Sequence, residues 1–168
     1  DAVPIMVDNL LKILPSAADC NYKNEQNQEI PFDDKGEPAI CVFKTIADPF
    51  VGKLSYFKVI SGVIKGDMRL INNRTGSEER LSKLLWLKAG KQEDAPEISA
   101  GDIGAVAKLG NVLTGDTLSA KGNVSVAKVT FPAPTLSVSV YPKAKGDEEK
   151  IAAAFSRMAE EDPTIKIH

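Results

Sequence analysis

The sequence predicts a mainly β protein: a small barrel or sandwich, with one helix before it and the opening of a β-α-β unit after it. Three observations carry that expectation. Residues 39–131 consist of short β-branched and aromatic runs separated by Gly, Asp and Asn turn signals. Helical periodicity occurs near the two ends of the chain. After Pro132 and Pro134 the pattern becomes a strict alternation, then a helical stripe. At 168 residues, 43% hydrophobic and 26% charged, the chain can form one packed domain with additional structure.

The first element is a helix over Val3–Leu14, where Val3, Met6, Val7, Leu10, Leu11 and Leu14 share one stripe. Pro4 suits an early helical position and Pro15 ends the run. An apolar face with no partner of its own reads as the last helix of a preceding domain. With Asp1 rather than Met in first place, the chain is expected to be a piece of a longer protein. Residues 16–38 are polar and punctuated, a connector. "AICVFKTIA" and "LSYFKVI" are the first strand pair, joined through Asp48, Pro49 and Gly52. "MRLIN", "ERLSKLLWLKA", "IGAVAKL", "DTLS" and "SVAKVTF" follow as strands. The run at Leu84–Leu87 lies between Gly76 and Gly90 and is taken as part of a strand that bends or bulges. Gly62 is expected to let a strand bend or another backbone approach, and Gly66-Asp67 to turn the chain tightly. "TLSVSVYP" alternates as a strand, Asp147 caps a helix carrying Ile151, Ala154, Phe155 and Met158, and "TIKIH" restarts a strand.

Several chemistries are excluded by residue type. Cys20 and Cys41 lack close-spaced metal-ligating partners and read as free thiols of a reducing compartment. With His168 as the only histidine, and terminal, Ser-His-Asp and Cys-His arrangements have no base. The acid pairs Asp33-Asp34 and Glu78-Glu79 lie in polar or turn-like segments and read as solvated surface. There is no Gly-x-x-x-x-Gly-Lys-Ser/Thr loop, so Gly52-Lys53 is no phosphate cradle. No apolar stretch approaches the roughly 20 residues of a bilayer-spanning helix, so no membrane attachment is expected.

The net charge is −2, yet it is unevenly placed along the chain. Residues 1–38 hold eight acids and three bases, a net of −5, whereas 53–91 hold nine bases and three acids, a net of +6. Such runs are commonly solvated faces. A basic block is also what contact with phosphates requires.

Several stretches together resemble elongation factor G and its relatives, the translational GTPases. "DPFVGKLSYFKVISGVIKGD" is similar to the hairpin and following strand of their second domain. "LPSA" resembles the segment after the last helix of their GTPase domain, and "AGDIGAVAKL" and "TGDTLS" their later barrel strands. "LSVSVYPKAKGDEEKIAAAFSRMAEEDPTIKI" resembles the opening of their third domain. One departure is a shorter turn: only Lys65 separates Ile64 from Gly66, which favours a divergent paralogue over the main translocase.

The resemblance implies a closed six-stranded translation-factor barrel over residues 39–131. It implies that 1–38 are the final helix and linker of a GTPase domain, and that 132–168 are the first half of a ferredoxin-like third domain. It implies a cytoplasmic, ribosome-dependent parent that binds GTP and Mg2+ upstream of Asp1 and supports translocation. No catalytic, cofactor or metal residue is assigned in this chain itself. The barrel is expected to dock on small-subunit rRNA and on its own GTPase domain, with Lys58, Lys65, Arg69, Arg74, Arg80 and Lys83 as candidate RNA contacts. Two other readings are a tetracycline-resistance-type ribosomal protection protein and a non-enzymatic, self-associating barrel. An independent enzyme lacks a nucleophile-base pair or metal cluster. Residues 135–168, with strand edges lacking partners, are expected to pair with a second copy as a homodimer or to be poorly ordered.

Overall fold

The computed structural model describes residues 2–48, 51–89 and 91–167. Helix α1 (Ala2–Ile13) follows its predicted stripe and stops before Pro15, but none of its side chains is buried. The connector is more structured than its composition suggests. It holds a 3-10 turn at Ala17–Asp19 and a two-residue ladder of β1 (Tyr22–Lys23) with β2 (Glu29–Ile30). It also lies against the barrel. A Cβ on Gly101 would collide with that of Ala17, and the Ala127 N–H donates to the Lys23 carbonyl over 2.7 Å.

Ten further strands follow: β3 (Ala39–Asp48), β4 (Gly52–Ser61), β5 (Val63–Lys65), β6 (Met68–Asn72), β7 (Glu78–Leu81), β8 (Leu84–Lys88), β9 (Lys91–Ala95), β10 (Glu97–Ser99), β11 (Ile103–Ala107) and β12 (Thr117–Ser119). Eight form one antiparallel sheet in the order β7-β6-β12-β3-β4-β11-β8-β9, while β5 and β10 pair separately. That second pair shows the curl. β5 continues β4 from the middle of the sheet and β10 continues β9 from its edge, so the sheet must wrap round for them to meet. The six-stranded closed barrel is therefore only roughly matched, by a curled eight-stranded sheet.

Three breaks raise the number of strands. Gly62, at φ +68°, separates β4 from β5. Its missing side chain leaves room for the backbone of Gly36 and Pro38, the close approach expected of it. Pro96 has no N–H to give a ladder and separates β9 from β10. "ERLSKLLWLKA" does not bend as one strand but divides at Ser82-Lys83 into β7 and β8, on either side of the sheet. Leu81 and Leu84 explain the division: both are fully buried in the core, yet three residues apart they would point to opposite faces of one straight strand.

The interior is filled by Ile40, Val42, Phe57, Val59, Leu70, Val106 and Leu118 with their neighbours. Burying such side chains contributes about 1.5–3 kcal/mol each. A smaller cluster of Leu54, Leu85 and Ala105 lies on the opposite side of the same strands. Gly52 at φ +79° turns the β3–β4 hairpin; Pro49 and Phe50 lie outside the described residues, as does Gly90 after β8. In the Gly66-Asp67 turn the left-handed residue is Asp67, at φ +61°, whose N–H donates to the Leu81 carbonyl.

Beyond β12 the expectation of strands fails three times. "SVAKVTF", "TLSVSVYP" and the described part of "TIKIH" form no strand. Val129, Leu136, Val138, Val140 and Tyr141 stay exposed, because an alternating pattern becomes a strand only when a ladder partner exists. The predicted helix does form, as α2 (Glu148–Glu161), with Asp147 at its N-cap position but without a side-chain cap bond.

Candidate nucleic-acid interface

The six candidate bases occupy three places. Lys65, Arg69, Arg80 and Lys83 gather at one corner of the barrel. Arg69 and Arg80 are direct cross-strand partners on β6 and β7, and the Asp67 N–H reaches the Ser82 carbonyl at 3.3 Å, which brings Lys65 and Lys83 to the same corner. Like charges facing each other across a ladder are unfavourable. Each is offset by a carboxylate: Arg69 by Glu78 and Arg80 by Asp67, both at 2.7 Å. Lys83 meets Asp94 at 2.7 Å and Lys65 meets Glu97 at 3.7 Å. All eight side chains are more than half exposed.

Lys58 lies elsewhere, half-buried on β4, with its ammonium 5.7 Å from the centre of the Tyr22 ring. It packs the connector onto the barrel. Arg74 lies at the far end of β6 and serves the fold. Its Nε and Nη2 donate to the Asp116 carboxylate over 2.8 and 2.9 Å, and Nη2 also donates to the Asn111 carbonyl. Asp116 is 1% exposed and further accepts from the Asn72 amide and the Leu113 N–H. Burial alone would raise its pKa; the hydrogen bonds from Arg74, Leu113 and Asn72 outweigh that and hold the carboxyl below its ordinary value. The cluster ties the loop before β12 to the turn after β6.

The acids that answer the basic block were not singled out in the sequence, because they are distant in it. Asp94, Glu97 and Asp116 pair with Lys83, Lys65 and Arg74, and Glu93 and Glu160 with Lys88 and Lys53. Glu79 accepts from the Gly110 and Asn111 N–H groups and secures the same loop. Folding thus interleaves the +6 segment with acids drawn mostly from residues 93–160. The corner of Lys65, Arg69, Arg80 and Lys83 is formally neutral, held in loose surface pairs. No group of three or more His, Cys, Asp and Glu able to hold a metal ion occurs among the described residues. Neither thiol is bridged, and burial pushes the Cys41 thiol up.

A curled antiparallel sheet with a left-handed glycine at its first hairpin, followed by a separate helix, defines the class as a small β-barrel protein with an appended helical segment. The family model of elongation factor G domain 2 matches residues 37–121, just over half of the chain, and that of elongation factor G domain III matches 131–168. The chain belongs to the elongation factor G family. A crystal structure of a protein from Thermus thermophilus is similar at 25% sequence identity and a TM-score of 0.76. That match covers 99% of this chain and 24% of the other, so this chain spans about a quarter of its length.

Proposed function

We propose that the whole protein is a cytoplasmic, ribosome-dependent GTPase that drives translocation in elongation, and that this barrel docks on small-subunit rRNA and on its own GTPase domain. The observation that carries the reading is the succession of the two matched domains in one chain, in the order that such factors use. GTP and Mg2+ belong to a domain outside residues 37–168. No step of nucleotide chemistry falls to the residues described here. No helix among them is long and apolar enough to cross a membrane. The short Gly66-Asp67 turn favours a divergent paralogue.

Among the candidates, the corner of Lys65, Arg69, Arg80 and Lys83 fits a phosphate backbone best. Exposed ion pairs are worth only about 0–1 kcal/mol, so each cation can exchange its carboxylate for a phosphate. Arg74 and Lys58 are withdrawn as contacts, since one neutralises Asp116 and the other seats Tyr22. Charge reversal of Arg69 and Arg80 in the full-length protein should weaken ribosome binding and flatten its salt dependence. Unchanged binding would remove the corner from the interface. Ribosome-stimulated GTP hydrolysis and tRNA–mRNA movement by the same protein would support translocation. Release of tetracycline from ribosomes without movement would assign the protective role instead.

Pairing with a second copy through 135–168 rests on the exposed alternation of Leu136, Val138 and Val140. Sedimentation of the chain as a monomer at high concentration would dismiss it.

A further inference from the structure

Two segments far apart in the sequence meet in space. The Gly52-Lys53 hairpin at the tip of β3 and β4 receives the Glu160-Glu161 end of α2. Lys53 Nζ lies 3.2 Å from the Glu160 carboxylate, and the Ala47 N–H donates to Glu161 Oε1. Both sides need this contact. β12 covers the edge of β3 only over Ala39–Cys41, so Ala47 lies on a stretch of edge that no strand among the described residues pairs. The two glutamates close α2 at the negative end of its dipole, with no basic residue in the last turn to offset them. A carboxylate offered to an unpaired edge N–H, and a second offered to a lysine, satisfy both deficits.

The contact is polar. No residue of α2 is buried, and the cleft beside the contact, about 670 Å3, is lined by Thr45, Ile46, Asp48, Gly52 and Arg157. The hairpin itself is braced: Asp48 accepts from the Val51 N–H and from the Gln92 side chain on β9. On the other side, α2 joins the barrel through residues 120–147, which contain no strand or helix.

We propose that Lys53, the Ala47 N–H, Glu160 and Glu161 form a latch that sets the angle at which the α2 unit leaves the barrel, and that the latch opens without disturbing the barrel core. The geometry suits such a device, since a braced hairpin and a helix end meet through two charge-assisted contacts beside an open cleft. A packed interface would hold one angle; a polar one exchanges its partners for water or for another anion. The latch does not depend on the ribosomal reading.

The test uses this chain with Cys20 and Cys41 replaced by Ser and spin labels at K91C and A153C. With the latch intact, one narrow distance is expected at low salt. In the Lys53→Gln/Glu161→Ala variant the distribution should broaden, and the Ala47 amide should exchange about tenfold faster while those of Phe57 and Val106 keep their protection. About 1 M NaCl should broaden the unsubstituted latch in the same way, because screening then acts within a few ångströms. If the variant loses core protection, this salt titration decides alone. A narrow distance that survives both perturbations, an unchanged Ala47 amide in a folded variant, or a broad distance at low salt from the outset would each overturn the latch.

Discussion

The barrel and its two flanks have similar apolar patterns and opposite fates. In β3 and β4 the inward-facing positions are driven into the core, and Ile40, Val42, Phe57 and Val59 are fully buried. In α1 the stripe is just as regular, yet Leu11 is 76% exposed, and in the strand-like segment near the other end Leu136 is 80% exposed. Periodicity states that a face is fit to be covered. It does not state what covers it, and only the barrel carries enough complementary strands to cover its own.

Equal substitutions in the two regions should separate them most widely. Phe57→Ala, in the core, should cost about 3–5 kcal/mol, whereas Leu11→Ala should stay within about 0.5 kcal/mol. Thermal unfolding of both variants checks this; a comparable loss at Leu11 would mean that α1 has a partner within the chain. Gly62→Ala should rank close behind Phe57→Ala. It forces a side chain into a left-handed backbone and to 2.6 Å from the Gly36 carbonyl oxygen, and it should lower the denaturation midpoint by the equivalent of about 2 kcal/mol or more.

Asp116 sharpens the contrast between buried and surface pairs. Asp116→Ala leaves the Arg74 guanidinium without its carboxylate and should cost about 2–4 kcal/mol, against under about 1 kcal/mol for Arg80→Ala at the corner. The pH dependence has a definite sign. A carboxyl held below its ordinary value stabilises the fold above the unfolded pKa of about 3.9 and loses that contribution as pH falls through the lower folded value. Melting temperatures measured from about pH 5 down to 2 should fall more steeply for the unsubstituted chain than for Asp116→Asn. The smallest effect concerns Cys41, whose thiol is raised by burial. It should alkylate more slowly than Cys20 in the native chain, and at the same rate once unfolded.

Much of the architecture was legible. α1, α2, β3, β4, β6, β11 and β12 follow from periodicity and turn residues, because their side chains report a one-sided environment. β9 was missed since "KQEDA" is an edge strand with four exposed residues and has no alternation to read. β1 and β2 were missed because two residues carry no period. The strands expected over 125–131 and 135–142 had alternation but no ladder partner. The candidate site was legible only as a list of bases. That Arg74 serves Asp116, or that Lys83 faces Asp94, depends on strand order, which brings together residues 42 and 11 positions apart.

By itself, the sequence determined which residues could form a core, where the chain turns and, through its motifs, the family. Such information is local: a period, a glycine, a proline, a string of residue types. The tertiary structure decided how many strands the barrel has and which face each flank leaves bare. It also decided that a strongly basic segment ends as a set of ion pairs. Charge along a chain adds by position, whereas charge on a surface adds by distance, and only folding converts one into the other.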